Sequence, residues 1–238
     1  MKGSIGAGSR RVTENPASCT STRTHMLQLH YHPGNASMAP HLLLEETGAP
    51  FELLPVDRAA NAHKSAAYLA LNPNGLIPVL VDGDLVLYEA AAICLHLADT
   101  WPAAALAPAL GTPERAHFYK WLVWLTNTLQ ATLIVYFYPE RWAASVAAAA
   151  DVKAHAERKT SALLDQLDAE LERHRGPWLL GERYSAADAY ALMLCRWTRG
   201  FTRPARSRPR LAAYLARVVE RPAAQRMFAS EGLAAPFV

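Results

Sequence analysis

Asn72-Pro73-Asn74-Gly75-Leu76-Ile77-Pro78-Val79-Leu80-Val81-Asp82-Gly83-Asp84-Leu85-Val86-Leu87-Tyr88-Glu89-Ala90 is the stretch on which the fold turns. It opens with Asn72-Pro73-Asn74-Gly75, a dense turn signal. Two apolar runs follow, residues 77–81 and 85–88, and Asp82-Gly83-Asp84 between them marks a β-hairpin. Past Tyr88 the apolar residues Ala92, Ile93, Leu95 and Leu97 take up helical spacing, so a helix opens at Glu89.

Working upstream, residues 26–31 read as a short strand ended by His32-Pro33-Gly34. A helix follows, with Pro40 in its first turn, Leu42 to Leu44 as apolar surface and Gly48 at its C-terminal stop. Residues 51–56 form a second strand. A helix between two strands favours a parallel βαβ pair. Residues 61–71 are weakly helical. The order β-α-β-α-β-β-α over residues 26–101 is that of a thioredoxin-like domain.

Downstream, a Pro- and Ala-rich linker (102–111) leads to residues 112–238, where strand signals cease. Thr112-Pro113-Glu114 starts a helix with a capping hydroxyl, a first-turn proline and an acid against the dipole. That helix carries Trp121, Leu122, Leu125 and Leu129. A second runs from about Asp151 to a stop at Gly176, with Leu163, Leu164, Leu167 and Leu171 as its stripe. Ser185 and Asp188 frame a third as a capping box, and two shorter helices cover residues 211–219 and 223–228. The fold class is therefore α/β followed by an all-α bundle.

Composition sets outer bounds. The chain has 238 residues, 51% hydrophobic and 19% charged, with a formal net charge of +3. That charge is too slight to imply a nucleic-acid partner. No apolar run reaches the roughly 18–20 residues that span a bilayer. Cys19, Cys94 and Cys195 have neither disulfide nor metal-ligand spacing, which suits a reduced, cytoplasmic protein without a metal. Residues 1–25 are rich in Gly, Ser, Thr and Arg and poor in large apolar side chains. They are expected to be a disordered extension, because they cannot offset their ordering entropy.

Three places carry candidate chemistry. Ile77-Pro78 is either a trans proline at a sheet edge or a cis bond that presents the Ile77 backbone to a peptide-like ligand. Glu89-Ala90 opens a helix directly after a strand. Its free N–H groups can hold a carboxylate and Glu89 an ammonium, or Glu89 simply complements the dipole. The loop of residues 32–41 offers Asn35 and Ser37 as donors or as routine caps. The arginines Arg199, Arg203, Arg206, Arg208 and Arg210 form a basic run, either solvated or attractive to an anion.

Together these places resemble the glutathione transferase family. The matching residues are Pro33-Gly34-x-x-Ser37-x-Ala39-Pro40-His41, Asn72-Pro73-Asn74-Gly75-x-Ile77-Pro78-Val79-Leu80, Tyr88-Glu89 with Ala92-Ile93, and Leu180-Gly181-x-x-Tyr184-Ser185-x-Ala187-Asp188. The first loop is most similar to the bacterial beta class, in which the residue matching Ala36 is usually a cysteine.

The resemblance implies that glutathione is the cosubstrate. Its thiol, with a free pKa of about 8.5, would be held as a thiolate by hydrogen bonds. A shift of about two units corresponds to about 2.7 kcal/mol. Ser37 is the first candidate donor, Asn35 the second and Tyr31 an outside one. Ile77 and Pro78 would pair with the cysteinyl backbone, beside Ala36. Glu89 and Ala90 would hold the γ-glutamyl end, and His63 and Lys64 the glycine carboxylate. Trp124, Asn127 and Tyr136 would line the pocket of a small hydrophobic electrophile, or of a peroxide or disulfide. A homodimer is implied as well. The alternative is a binding module that keeps the fold without the chemistry.

Overall fold

The computed structural model describes residues 26–238, so the disorder expected of residues 1–25 lies outside the described residues. The first half is a four-stranded sheet in the order β2-β1-β3-β4. Strand β1 (Leu27–Tyr31) pairs in parallel with β2 (Phe51–Pro55), Leu29 opposite Leu53. On its other side β1 runs antiparallel to β3 (Val79–Asp82), Leu29 opposite Leu80, and β3 forms the expected hairpin with β4 (Leu85–Tyr88). The two-residue period of a strand puts Leu27 and Leu29 into the core.

The strand β3 begins at Val79, two positions inside the apolar run, so Ile77 and Pro78 stand outside the ladder. Proline has no N–H to give to a ladder, which is why pairing stops there. The Ile77–Pro78 bond is cis, the second of the two readings left open by the sequence. Just ahead, Gly75 has φ +58°, and a Cβ there would lie 2.8 Å from the His63 carbonyl oxygen and 2.7 Å from Lys64 Nζ. Only glycine fits this turn.

Helix α1 (Met38–Thr47) follows β1, and its C-cap Gly48 takes the left-handed conformation. It starts two residues before Pro40, with Ser37 at its N-cap. Met38 to Leu44 are all buried, with no polar face, because the helix is covered on several sides. It packs against α3 (Ala90–Thr100), α7 (Ala186–Trp197) and α9 (Pro222–Ser230). One apolar core therefore runs through both halves. At the C-terminal end of α1, Glu46 pairs with Arg221 and Glu45 with Arg226. Between β2 and β3 lie a 3-10 turn (Ala62–Lys64) and α2 (Ala66–Leu71), in the segment read as weakly helical.

The helical half departs from its sequence pattern in three places. Helix α4 (Pro113–Trp124) does not run on as one α-helix but passes through a π-helical turn (Leu125–Gln130) into α5 (Ala131–Phe137). The wider turn places Gln130 to accept from the buried Tyr190 hydroxyl. Helix α6 (Val146–His174) starts ahead of Asp151, because Ser145 Oγ caps it by accepting from Ala148 N and the alanines that follow are strong helix formers. Its left-handed cap is Arg175, and Gly176 serves close packing instead, since a Cβ there would meet the Gly181 backbone at 2.6 Å. The two shorter helices, α8 (Pro209–Val219) and α9, follow as read.

Asp188 joins three segments of this half. Its Oδ2 accepts from Ser185 N (2.7 Å) and from the Ser185 hydroxyl, and its Oδ1 accepts from Leu179 N and the Tyr214 hydroxyl (both 2.8 Å). Burial pushes this carboxyl up to about 6, while those donors pull it down. Asp188→Ala strands several buried donors at once and is expected to cost about 3 kcal/mol or more. Tyr214→Phe removes one donor and is expected to cost about 1 kcal/mol. Urea denaturation of the two variants measures the difference.

Candidate functional site

At the seam between the halves lies a cavity of about 430 Å3. The loop after β1 supplies His32, Pro33, Gly34 and Asn35, the segment after β2 supplies Arg58, and the ends of α5 and α7 supply the remaining wall. A larger cavity of about 550 Å3 lies between the 102–111 linker and residues 180–185. None of the ligand-binding residues expected in the first half borders it, so the chemistry is sought at the seam.

The first loop is held from both sides. Gly34, at φ +70°, donates its N–H to Glu231 Oε2 (2.7 Å) and accepts from Trp197 Nε1 (3.1 Å). Both partners belong to the helical half. Glu231 Oε1 also accepts from His41 Nδ1 in α1 at 2.9 Å, with both side chains fully buried.

Ser37 is completely buried. Its hydroxyl donates to the His32 carbonyl (3.1 Å) and accepts from His32 N (3.2 Å), closing the loop on itself. A hydroxyl has one proton, and here it goes to His32. Ser37 is thus a brace beneath the loop, a correction to its place as first candidate donor. Asn35 borders the cavity, and its Oδ1 accepts from Ala36 N at 2.6 Å. Its amide nitrogen keeps two protons to donate. His32 Nδ1 meets the Val56 carbonyl at 3.0 Å, and since a carbonyl only accepts, Nδ1 is the donor in that bond. Tyr31 packs edge-on against His41, as a strand aromatic.

The remaining residues expected to bind a ligand in the first half, Ile77, Pro78, Glu89, Ala90, His63 and Lys64, do not line this cavity. Among the described residues, no other backbone group pairs with Ile77. Glu89 is exposed at φ +72°, a conformation costly for any residue with a Cβ and typical of functional sites. No side chain caps the N-terminus of α3, so the amides after Glu89 are free of one. Lys64 Nζ donates to Asn74 O at 3.1 Å, beside the turn that leads into Ile77. His63 is held below the usual imidazole value by burial, and by the positive charges of Lys64, Arg58 and His32. Ala36 is buried under the loop.

Of the three residues expected in a second-substrate pocket, Tyr136 lines the cavity. Trp124 instead stacks edge-on with Trp121, in a surface depression with Gln166 and Glu170. Asn127 is exposed and accepts from the Thr126 hydroxyl, because the π-helical turn rotates this stretch away from simple 3.6-residue spacing. Sequence reasoning missed His32, Arg58, Trp197 and Phe201 on the wall. Arg199, which also lines it, had been read only as part of a basic run. His32 sits inside the quoted loop motif, so a signal existed there. No local pattern marks the others, which come from two separate segments. Cys94 and Cys195 are buried away from the cavity, and burial pushes Cys195 up to about 12 and Cys94 further. Among the described residues no group of three or more potential metal-ligating side chains gathers, and no helix is long and apolar enough to cross a membrane.

Known proteins share this arrangement. Residues 26–99 match the family model of the glutathione S-transferase N-terminal domain, and residues 125–222 that of the C-terminal domain. Glutathione S-transferase GstA of Escherichia coli O157:H7 is 30% identical over 87% of this chain and all of its own length. A Sulfitobacter glutathione transferase homologue with bound glutathione superposes with a TM-score of 0.80 at 27% identity, covering 88% of this chain and 99% of its own. The bacterial beta class glutathione S-transferase of Sphingomonas chungbukensis superposes with a TM-score of 0.76 at 33% identity, covering 87% and 100%. With both family domains matched in order and whole-length relatives at this identity, the chain belongs to the glutathione S-transferase family.

Proposed function

We propose that the chain binds glutathione along the edge formed by Ile77, Glu89 and the first loop, and activates its thiol as a hydrogen-bonded thiolate. The free backbone of Ile77 suits the cysteinyl backbone as an added strand would. The uncapped start of α3 at Ala90 suits the γ-glutamyl carboxylate, and Glu89 its ammonium group. Lys64 supplies positive charge for the glycine carboxylate, and His63, held below the usual imidazole value, a ring N–H donor.

The observation that carries the catalytic reading is Asn35 on the cavity wall, its Oδ1 fixed by Ala36 N and its amide protons left to donate. One such charge-assisted bond stabilises a thiolate by about 1.5–3 kcal/mol. In the reaction the thiol proton is lost to water and the sulfur keeps the electron pair. That pair forms a C–S bond at an electrophilic carbon, and the leaving group departs with the pair of the bond that breaks. Ala36 stands where a reactive cysteine would be, so the thiolate of glutathione itself is the nucleophile, toward a carbon electrophile or a peroxide.

Titration of the thiolate absorbance of bound glutathione tests this. The wild-type complex is expected to ionise below the free value of about 8.5. Asn35→Ala is expected to raise that pKa by about one unit or more, and Ser37→Ala to act chiefly on stability. An unshifted thiol in the wild type overturns the catalytic reading, and failure to bind glutathione favours a module that keeps only the fold.

A homodimer is part of the same proposal. Tyr119 and Val123 on α4 and Leu85 and Val86 on β4 are exposed apolar side chains. Light scattering is expected to give twice the chain mass, and Val123→Glu to shift the population toward the monomer. A monomeric wild type removes this part of the reading.

A further inference from the structure

We propose that the second substrate is an aromatic or otherwise planar electrophile bearing an oxyanion such as a carboxylate, and that Arg199 is the residue that selects it. This rests on the transferase reading and names the substrate class of the same site. The cavity wall contains no acidic residue, and two of its residues, Arg58 and Arg199, are permanent cations. Aromatic rings from both ends of the helical half, among them Tyr136 and Trp197, surround them.

Of the arginines in the run 199–210, Arg199 is the one that lines the cavity, and among the described residues it has no carboxylate beside it. Arg203 and Arg208 share Asp165, and Arg210 pairs with Glu172. Arg206 donates to the Val238 oxygen and Arg196 to the Phe237 carbonyl. Arg199 donates one N–H to the Arg196 carbonyl at 2.6 Å and, among the described residues, has no carboxylate partner. Partial burial and the charge of Arg206 both press against its protonated form. Arg199 is exposed at the cavity mouth, and a cation with no carboxylate partner and a second cation nearby gains from an arriving anion. The guanidinium is planar, binds a carboxylate through two parallel N–H bonds and stacks on aromatic faces. An aryl carboxylate satisfies all of these features together.

Glutathione also brings carboxylates, but the groups placed for them, the start of α3 and the His63–Lys64 segment, belong to the first half. Arg58 shares that segment and donates across the cleft to the Tyr138 hydroxyl (3.1 Å). Arg199 stands on the opposite wall, just beyond Trp197 at the end of α7, and is left for the other substrate.

The test compares charged and neutral probes of matched shape on the full chain at saturating glutathione. Dinitrobenzoate and dinitrobenzamide binding is read by quenching of tryptophan fluorescence, and chlorodinitrobenzoate and chlorodinitrobenzene turnover as kcat/KM normalised to the uncatalysed rates. At low salt the benzoate is expected to bind about tenfold more tightly than the amide, with the preference shrinking as salt screens it. Arg199→Gln is expected to bring the ratio to about one, Arg199→Lys to keep part of it, and Arg199→Glu to invert it. Equal affinities in the wild type, or a preference that survives Arg199→Gln, overturns the proposal. So does a rise in the glutathione KM of Arg199→Gln with the probe ratio intact, which would assign Arg199 to glutathione. If the benzoate preference is present but neither chloro compound is conjugated, the anion site stands and the transferase reading fails. The salt dependence of the wild type decides the matter even if a variant does not fold.

Discussion

Glu231 lies at the end of α9, and its two buried oxygens bind different elements of the other half. One accepts from His41 inside α1, the other from the backbone N–H of Gly34 in the loop that precedes α1. A buried carboxylate is costly unless its lone pairs are filled, so these bonds hold α9 against α1 as firmly as they hold the loop. Trp197 completes the restraint by donating to the Gly34 carbonyl. The loop geometry that sets Asn35 on the cavity wall therefore depends on residues far along the chain. It also explains why α1 can be buried on several sides: the two halves share one core around it.

With the loop so braced, its two polar side chains have different tasks. The Ser37 hydroxyl is spent on His32 and shields nothing outside the loop, whereas Asn35 spends only its oxygen and keeps its donors. A serine and an asparagine two residues apart are chemically similar on paper. The difference between them arises from burial and from which partner each finds. The same distinction governs the arginine run 199–210, where Arg203, Arg208 and Arg210 are matched to carboxylates and Arg199, on the cavity wall, meets only a carbonyl.

Much of the fold was legible because it is written in local chemistry. The Asp-Gly hairpin, the Ile77-Pro78 step, the Thr112-Pro113 helix start and the Ser185–Asp188 box each rest on a few neighbouring residues, and each stands where it was read. Of the misread elements, the early start of α6 is also local, set by the Ser145 cap, whereas the others depend on packing. The π-helical turn exists because Gln130 meets Tyr190, sixty residues on. Gly176 packs on Gly181 while Arg175 takes the left-handed cap that a glycine was expected to occupy.

The candidate site divides along the same line. The backbone groups proposed to bind glutathione, at Ile77 and Ala90, follow from short motifs, because a turn or a helix start needs only its own residues. The cavity does not, because its walls come from the first loop, the segment after β2, and the ends of α5 and α7, which meet only when both halves close on α1. The sequence by itself determined the two-part architecture, the glutathione transferase likeness and the local backbone features at Ile77-Pro78 and at the start of α3. Tertiary structure alone decided that Ser37 braces while Asn35 faces the cavity, that Tyr136 lines it while Trp124 does not, and that Arg199 keeps an unmatched charge there. Hydrogen-bond partners and burial are properties of neighbours in space, and those neighbours lie far apart along the chain.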